Sequence, residues 1–230
     1  MNVAVMQPYL FPYLGYYQLV QCADIFVLYD DVAFIKQGYI NRNNILTDGR
    51  ASRITVPVLG GSSNKCIKEL AFESNVAKVL KTVRQSYAQA PFVDNIFPMI
   101  ERVLEHAERD ITTVCQLGIF EVFQHLGLGK QIIRSSDLDY DRELPAADRL
   151  IAICEKLGSS HYVNSIGGEK LYSKDYFAER GNQLTFLHTQ DVEYPQQGKK
   201  EFVPNLSMID VLMWCDKRQI RELLQRYTLV

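Results

Sequence analysis

Two adjacent carboxylates, Asp30-Asp31, are followed closely by Lys36 and by Asn41-Arg42-Asn43, the densest group in this 230-residue chain that could move protons or hold phosphate. A carboxylate pair can act as base or metal ligand, and a nearby lysine and arginine can neutralise an oxyanion. Asp30, Asp31, Lys36 and Arg42 are therefore the candidate catalytic residues, with Asn41 as a substrate contact. Phe34, Ile35, Tyr39, Ile40, Ile45 and Leu46 frame these polar groups, so the backbone carrying them is expected to lie against the protein.

Just upstream, the stretch between Pro8 and Gln18 holds four tyrosines, two prolines and one glycine, and no charged residue. Pro8 and Pro12 stiffen the chain, and Gly15 allows backbone to approach a ligand closely. Phenols offer flat apolar faces with hydrogen-bonding tips, so Gln7, Tyr9, Tyr13, Gly15, Tyr16 and Gln18 form a candidate substrate-binding loop. The plainer alternative is that the rings cap the sheet as core.

Asn164-Ser165-Ile166-Gly167-Gly168 stands in the same context, a strand end with glycines before a helix. Asn164, Ser165, Gly167 and Gly168 are a second candidate contact set, and an ordinary turn is the alternative. Ser207 and Asp210 have capping-box-like spacing at a helix start, with a substrate role as an addition. Gly60-Gly61 lacks the spacing of a phosphate loop.

The elements that must position these groups follow from periodicity. Asn2–Met6 and Asp24–Tyr29 are apolar runs that read as buried strands, and Gly15–Ala23 between them fits a helix, giving a βαβ unit. Arg53–Val58 reads as a strand that Pro57 ends or confines to an edge. From Asn75 to Leu128, apolar residues recur at helical spacing in three segments that Pro91 and Pro98 separate or start. Strand and helix then alternate: Gln131–Arg134, Pro145–Leu157, His161–Ile166, Leu171–Glu179 and Leu184–Leu187. The expectation is a single α/β domain over residues 1–230, a doubly wound and mostly parallel sheet with a helical insertion at about 75–128.

Hydrophobic residues make up 47% and charged ones 23%, and the formal net charge is −2. That balance gives no general attraction to nucleic acid or to an anionic membrane, and the expected partner is a small molecule. Without a leader-like segment or a run of about 18 apolar residues, a cytoplasmic protein with no membrane insertion is expected. Cys22, Cys66, Cys115, Cys154 and Cys215 lack CxxC spacing and read as thiols, and the scattered histidines give no zinc-site pattern.

Several runs together resemble the WbqC-like protein family of bacteria: Gln7-Pro8-Tyr9 with Pro12-Tyr13 and Gly15-Tyr16; Tyr29-Asp30-Asp31-Val32; Lys36 with Asn41-Arg42-Asn43; and Leu206-Ser207-Met208-Ile209-Asp210. Ala33 and Tyr39 depart from the glutamine and tryptophan expected there. The resemblance implies a role in making or decorating O-antigen-type sugars. Tyr13-Leu14-Gly15-Tyr16 after a first strand is also similar to the first βα unit of Rossmann-like nucleotidyltransferases and adenylate-forming ligases, which carry His-x-Gly-His there. That second similarity implies ATP with Mg2+, the metal falling to Asp30 or Asp31 and the phosphate charge to Lys36 and Arg42. Together they imply transfer of a small acyl or aminoacyl group to an amino sugar or sugar nucleotide through an activated carboxylate, with that small molecule or sugar nucleotide as the expected partner. A metal-dependent glycosyltransferase and a non-catalytic sugar-nucleotide-binding protein are the alternatives.

Overall fold

A computed structural model describes residues 1–197 and 201–230. The chain opens with β1 (Asn2–Met6), α1 (Leu14–Cys22) and β2 (Ile25–Leu28). A hairpin follows, β3 (Arg42–Thr47) and β4 (Arg50–Thr55), then the short β5 (Val58–Leu59) and β6 (Ala71–Phe72). Three helices come next: α2 (Ala77–Ser86), α3 (Val93–Leu104) and α4 (Ile111–His125). The remainder is β7 (Gln131–Arg134), α5 (Ala146–Lys156), β8 (His161–Ser165), α6 (Lys174–Ala178), β9 (Gln183–Thr189), α7 (Met208–Trp214), α8 (Lys217–Leu223) and β10 (Tyr227–Leu229).

The result is an α/β fold with a central mixed sheet and flanking helices. Six strands lie in the order β10-β9-β8-β1-β2-β7, all neighbours parallel except β10, which runs antiparallel to β9. The chain builds outward from β1 through β2 to β7, then returns to lay β8 on the other edge of β1. Ligands of open α/β sheets favour the carboxyl edge where strand order reverses in this way.

Side-chain alternation divides the core between the two faces. Val3, Val5, Ile25 and Val27 pack with Leu150, Ile153, Cys154 and Phe177 of α5 and α6. Ala4, Phe26 and Leu28 face the larger core, which holds α1, the three consecutive helices, α7 and α8. Both faces of β2 are covered, so all four of its residues are buried.

Some boundaries differ from the sequence reading. The strand expected over Arg53–Val58 stops at Thr55, because it is the second arm of a hairpin whose turn, Asp48-Gly49, has φ of 50° and 73°. Two successive positive φ values suit a tight hairpin turn, and Asp-Gly is its usual sequence. Pro98 lies inside α3 rather than at its start, and the helix continues past it. The helix expected from Leu171 begins only at Lys174, where the Ser173 side chain caps the Tyr176 amide. All five cysteines are free thiols. No helix among the described residues is long and apolar enough to cross a membrane.

Candidate functional site

The opening loop is held from below rather than hanging free. Phe11 is buried with φ of 43°, and its carbonyl accepts from Asn43 Nδ2 at 2.8 Å and from Ser207 Oγ at 2.6 Å. Two donors on one carbonyl keep a non-glycine residue in the left-handed region despite its steric cost. Pro12 O also accepts from Met208 N at 2.8 Å, so the loop is clamped to the start of α7.

Its tyrosines then part company. Tyr16 is buried and donates to Gln7 O at 2.9 Å, and Tyr17 is fully buried, its hydroxyl unpartnered among the described residues. Burial drives both phenols above their ordinary pKa. Tyr9 is half-buried with its ring 5.5 Å from that of Tyr16. Tyr13 alone stays open, at 36% exposure.

Tyr13 and Gly15 line a cavity of about 410 Å³ at the start of α1, closed on the other side by Thr189, Tyr194, Phe202 and Asn205. Asp191 and Glu193 supply its charge, and no lysine or arginine lines it among the described residues. The Tyr13 side chain does not cap α1, and Tyr16 N is taken by Tyr13 O at 3.1 Å, so Gly15, which lines the cavity, supplies the first-turn amide available to a ligand. The far wall is fixed by Tyr194, which meets Phe202 edge-on at 5.1 Å and donates to Asp210 at 2.9 Å. Gln196 clasps Val203 through both backbone groups, its Nε2 donating at 2.9 Å and its Oε1 accepting at 2.9 Å.

Gly15 matters because of this closeness. A Cβ there would stand 2.5 Å from Tyr13 Cε2 and 2.7 Å from Thr189 Oγ1. Gly15→Ala is therefore expected to push the Tyr13 ring into the cavity and to cost about 1–3 kcal/mol, readable by urea denaturation. Unchanged stability and unchanged ligand binding would contradict that packing.

The other candidate site residues do not line this cavity. Asp30 and Asp31 sit past the end of β2, beside the end of β7, and both are buried. Asp30 accepts from Ser136 N and Ser136 Oγ, each at 3.0 Å. Asp31 accepts from Ser135 Oγ at 2.5 Å, Tyr140 OH at 2.9 Å and Arg142 Nε at 2.8 Å. Ser135 Oγ is also 3.2 Å from Asp30 and takes the Asp30 N–H at 3.1 Å. The two carboxylates thus converge on one serine instead of pointing apart, because the chain has left strand geometry by Tyr29.

Lys36 is exposed on the loop before β3, and Arg42 donates to Gly38 O at 2.7 Å. Asn41 donates to Val56 O at 2.8 Å. Gln18 is fully buried and ties α1 to the C-terminal segment, donating to Leu223 O and Arg226 O while accepting from Thr189 Oγ1. Asn164 is buried against Gly168 and accepts from Ser165 N at 2.8 Å, whereas Gly167 faces open space. Ser207 caps α7 through Ile209 N at 3.3 Å. Asp210 does not complete a capping box: it accepts instead from Tyr87 at 2.8 Å, Tyr194 and Gln196.

ATP with Mg2+ does not fit the residues expected to hold it. The oxygens of Asp30 and Asp31 are already met by donors, Lys36 and Arg42 do not line the cavity at α1, and the charged groups lining it among the described residues are acidic. Among the described residues no group of three or more His, Cys, Asp or Glu is arranged to hold a metal. The residues that sequence reasoning missed, Asp191 and Glu193, did carry a signal: they alternate just beyond the carboxyl end of a strand.

A model of the WbqC-like protein family matches residues 7–222. An uncharacterized protein of Mycobacterium tuberculosis is 24% identical over 215 residues, covering 92% of each chain. No solved structure matches.

Proposed function

The chain belongs to the WbqC-like protein family, and from that premise we propose that it is an enzyme of bacterial surface-polysaccharide (O-antigen) biosynthesis. Its reaction is transfer of a small acyl or aminoacyl group from an activated carboxylate to an amino sugar or its nucleotide. The reading includes a Rossmann-like, doubly wound sheet of the nucleotidyltransferase and adenylate-forming ligase type, supported by the strand order that reverses beside β1.

The observation that carries it is the pairing of aromatic walls with carboxylates at the uncapped start of α1. Tyr13, Tyr194 and Phe202 offer faces against which sugar C–H groups pack, and Asp191 and Glu193 attract an ammonium group. One carboxylate takes the ammonium proton, and the freed amine attacks the acyl carbon. The oxyanion then developing would meet the Gly15 amide, and its collapse breaks the bond to the activating group, a thiolate or a phosphate, which leaves with the proton lost by the new amide nitrogen.

Calorimetric titration with glucosamine and with glucose tests the site. Glucosamine is expected to bind more tightly, and Asp191→Asn with Glu193→Gln is expected to abolish that preference, about tenfold or more. Absence of any preference for the amine in the wild-type protein sinks the reading. Mass spectrometry for an amide, with an acyl thioester or with ATP and glycine as donor systems, tests the transfer itself. Binding without amide product would favour a sugar-binding protein, a rival supported by the engagement of Asp30 and Asp31 in structural hydrogen bonds.

A further inference from the structure

The arginines near the carboxyl end of the sheet are not alike. Arg134 donates to Gln116 at 3.1 Å and to Thr113 at 2.8 Å, and lies 3.8 Å from Asp110. Arg142 is taken up by Asp31 and by the carbonyl of Leu138. Arg149, on α5, has a buried Nε with no hydrogen-bond partner among the described residues. Its neighbour Asp148 is no help, being engaged with Arg180 at 3.1 Å and with Tyr176 at 2.9 Å.

The guanidinium of Arg149 lies 5.8 Å from the centroid of the Tyr29 ring. The Tyr29 hydroxyl is likewise buried and makes no hydrogen bond of ordinary length among the described residues, with Tyr140, Tyr172 and Asp31 as its polar neighbours. Tyr29 follows β2, and Tyr172 follows the turn after β8, so both stand at the edge where strand order reverses. A Cβ on Gly167 in that turn would meet nothing within 4 Å, which leaves room beside it. Two desolvated donors with no well-placed acceptor among the described residues are costly unless something else supplies one.

We propose that Arg149, with the hydroxyls of Tyr29 and Tyr172, binds a phosphate group. An arginine fork takes two oxygens along one edge of a phosphate and leaves further oxygens for the phenols. This site is separate from the cavity at α1. Tyr29 packs with the core that holds Ile25 and Val27, whereas Leu14 and Val211 of that cavity belong to the larger core. It therefore does not depend on the amino-sugar reading.

Calorimetry at low salt with inorganic phosphate, pyrophosphate and UDP tests the site. The wild-type protein is expected to bind pyrophosphate or UDP, and Arg149→Met to weaken that binding by about 20-fold or more. Arg149→Lys should fall between them, because it keeps the charge without the fork. UDP binding more tightly than pyrophosphate would identify a nucleotide as the source of the phosphate, and equal affinities a free phosphate; either supports the site. Failure of the wild type to bind all three, or equal affinity in Arg149→Met, overturns it. Should Arg149→Met not fold, phenylglyoxal labelling of wild-type Arg149 replaces it: protection by pyrophosphate supports the site, and labelling at an unchanged rate refutes it.

Discussion

Asp31→Ala is expected to lower the free energy of unfolding by about 3 kcal/mol, measured by urea denaturation. The Asp31 side chain is 1% exposed and receives Arg142 Nε, Tyr140 OH and Ser135 Oγ. Alanine removes the acceptor and strands Arg142 Nε and Tyr140 OH, the first of them charged, while Ser135 Oγ keeps Asp30 at 3.2 Å. Hydrogen bonds to a charged group contribute more than neutral ones, so the arginine dominates this loss. Arg142 is 38% exposed and can recover part of its solvation, which keeps the figure near the lower end for broken buried pairs. Burial, together with the neighbouring Asp31 charge, holds the Tyr140 phenol above its ordinary pKa, so in the wild type it stays a neutral donor at working pH. Asp31→Asn should cost less, because its carbonyl still accepts from one donor. A near-neutral effect of Asp31→Ala on stability, with turnover lost, would return this carboxylate to a catalytic role.

Asp210→Ala is expected to be comparably damaging, about 3 kcal/mol, and also to loosen the wall of the cavity. Asp210 is fully buried and holds Tyr87, Tyr194 and Gln196 together, and Tyr87 OH in turn accepts Leu46 N at 3.1 Å. Through Tyr194 and Gln196 the same carboxylate anchors the segment between β9 and α7. Loss of glucosamine binding should therefore accompany the loss of stability, although Asp210 is not among the residues lining the cavity.

This group also carries a pH signature. Desolvation raises the Asp210 pKa above its ordinary 3.8, outweighing the hydrogen bonds from Tyr87, Tyr194 and Gln196 that lower it. The folded state then binds the proton more tightly than the unfolded chain. The stability tied to this proton is fully present below 3.8 and is lost as pH rises through the higher folded value. Denaturation from pH 3.5 upward, compared with Asp210→Asn, should show that falling contribution only in the wild type. A contribution that rises with pH instead would mean that the hydrogen bonds outweigh burial.

Much of the architecture could be read from local pattern. The run Asn2–Met6, the proline that ends it and the all-buried Ile25–Leu28 carry enough apolar periodicity to declare two neighbouring parallel strands and the helix between them. The β3–β4 hairpin escaped because its first strand begins Arg42-Asn43-Asn44, a polar run that looks like a turn. Asn43 is buried there because its amide serves the carbonyl of Phe11, a long-range reason that no propensity reveals. The described residues between β9 and α7 have neither helical nor strand period, and side-chain clasps such as Gln196 to Val203 hold them.

From its residues alone, this protein's family resemblance, its α/β class and the openness of the chain around Tyr13 and Gly15 could be argued, because each depends on neighbours in sequence. Only the tertiary structure decided which tyrosine faces a cavity and which is walled into the core. It also decided that Asp30 and Asp31 meet Ser135, Tyr140 and Arg142, partners 104 to 111 residues away from Asp31. A buried carboxylate must find donors somewhere, but sequence adjacency does not say where. Sheet order does, because the parallel pairing of β2 with β7 brings the two strand ends to the same edge.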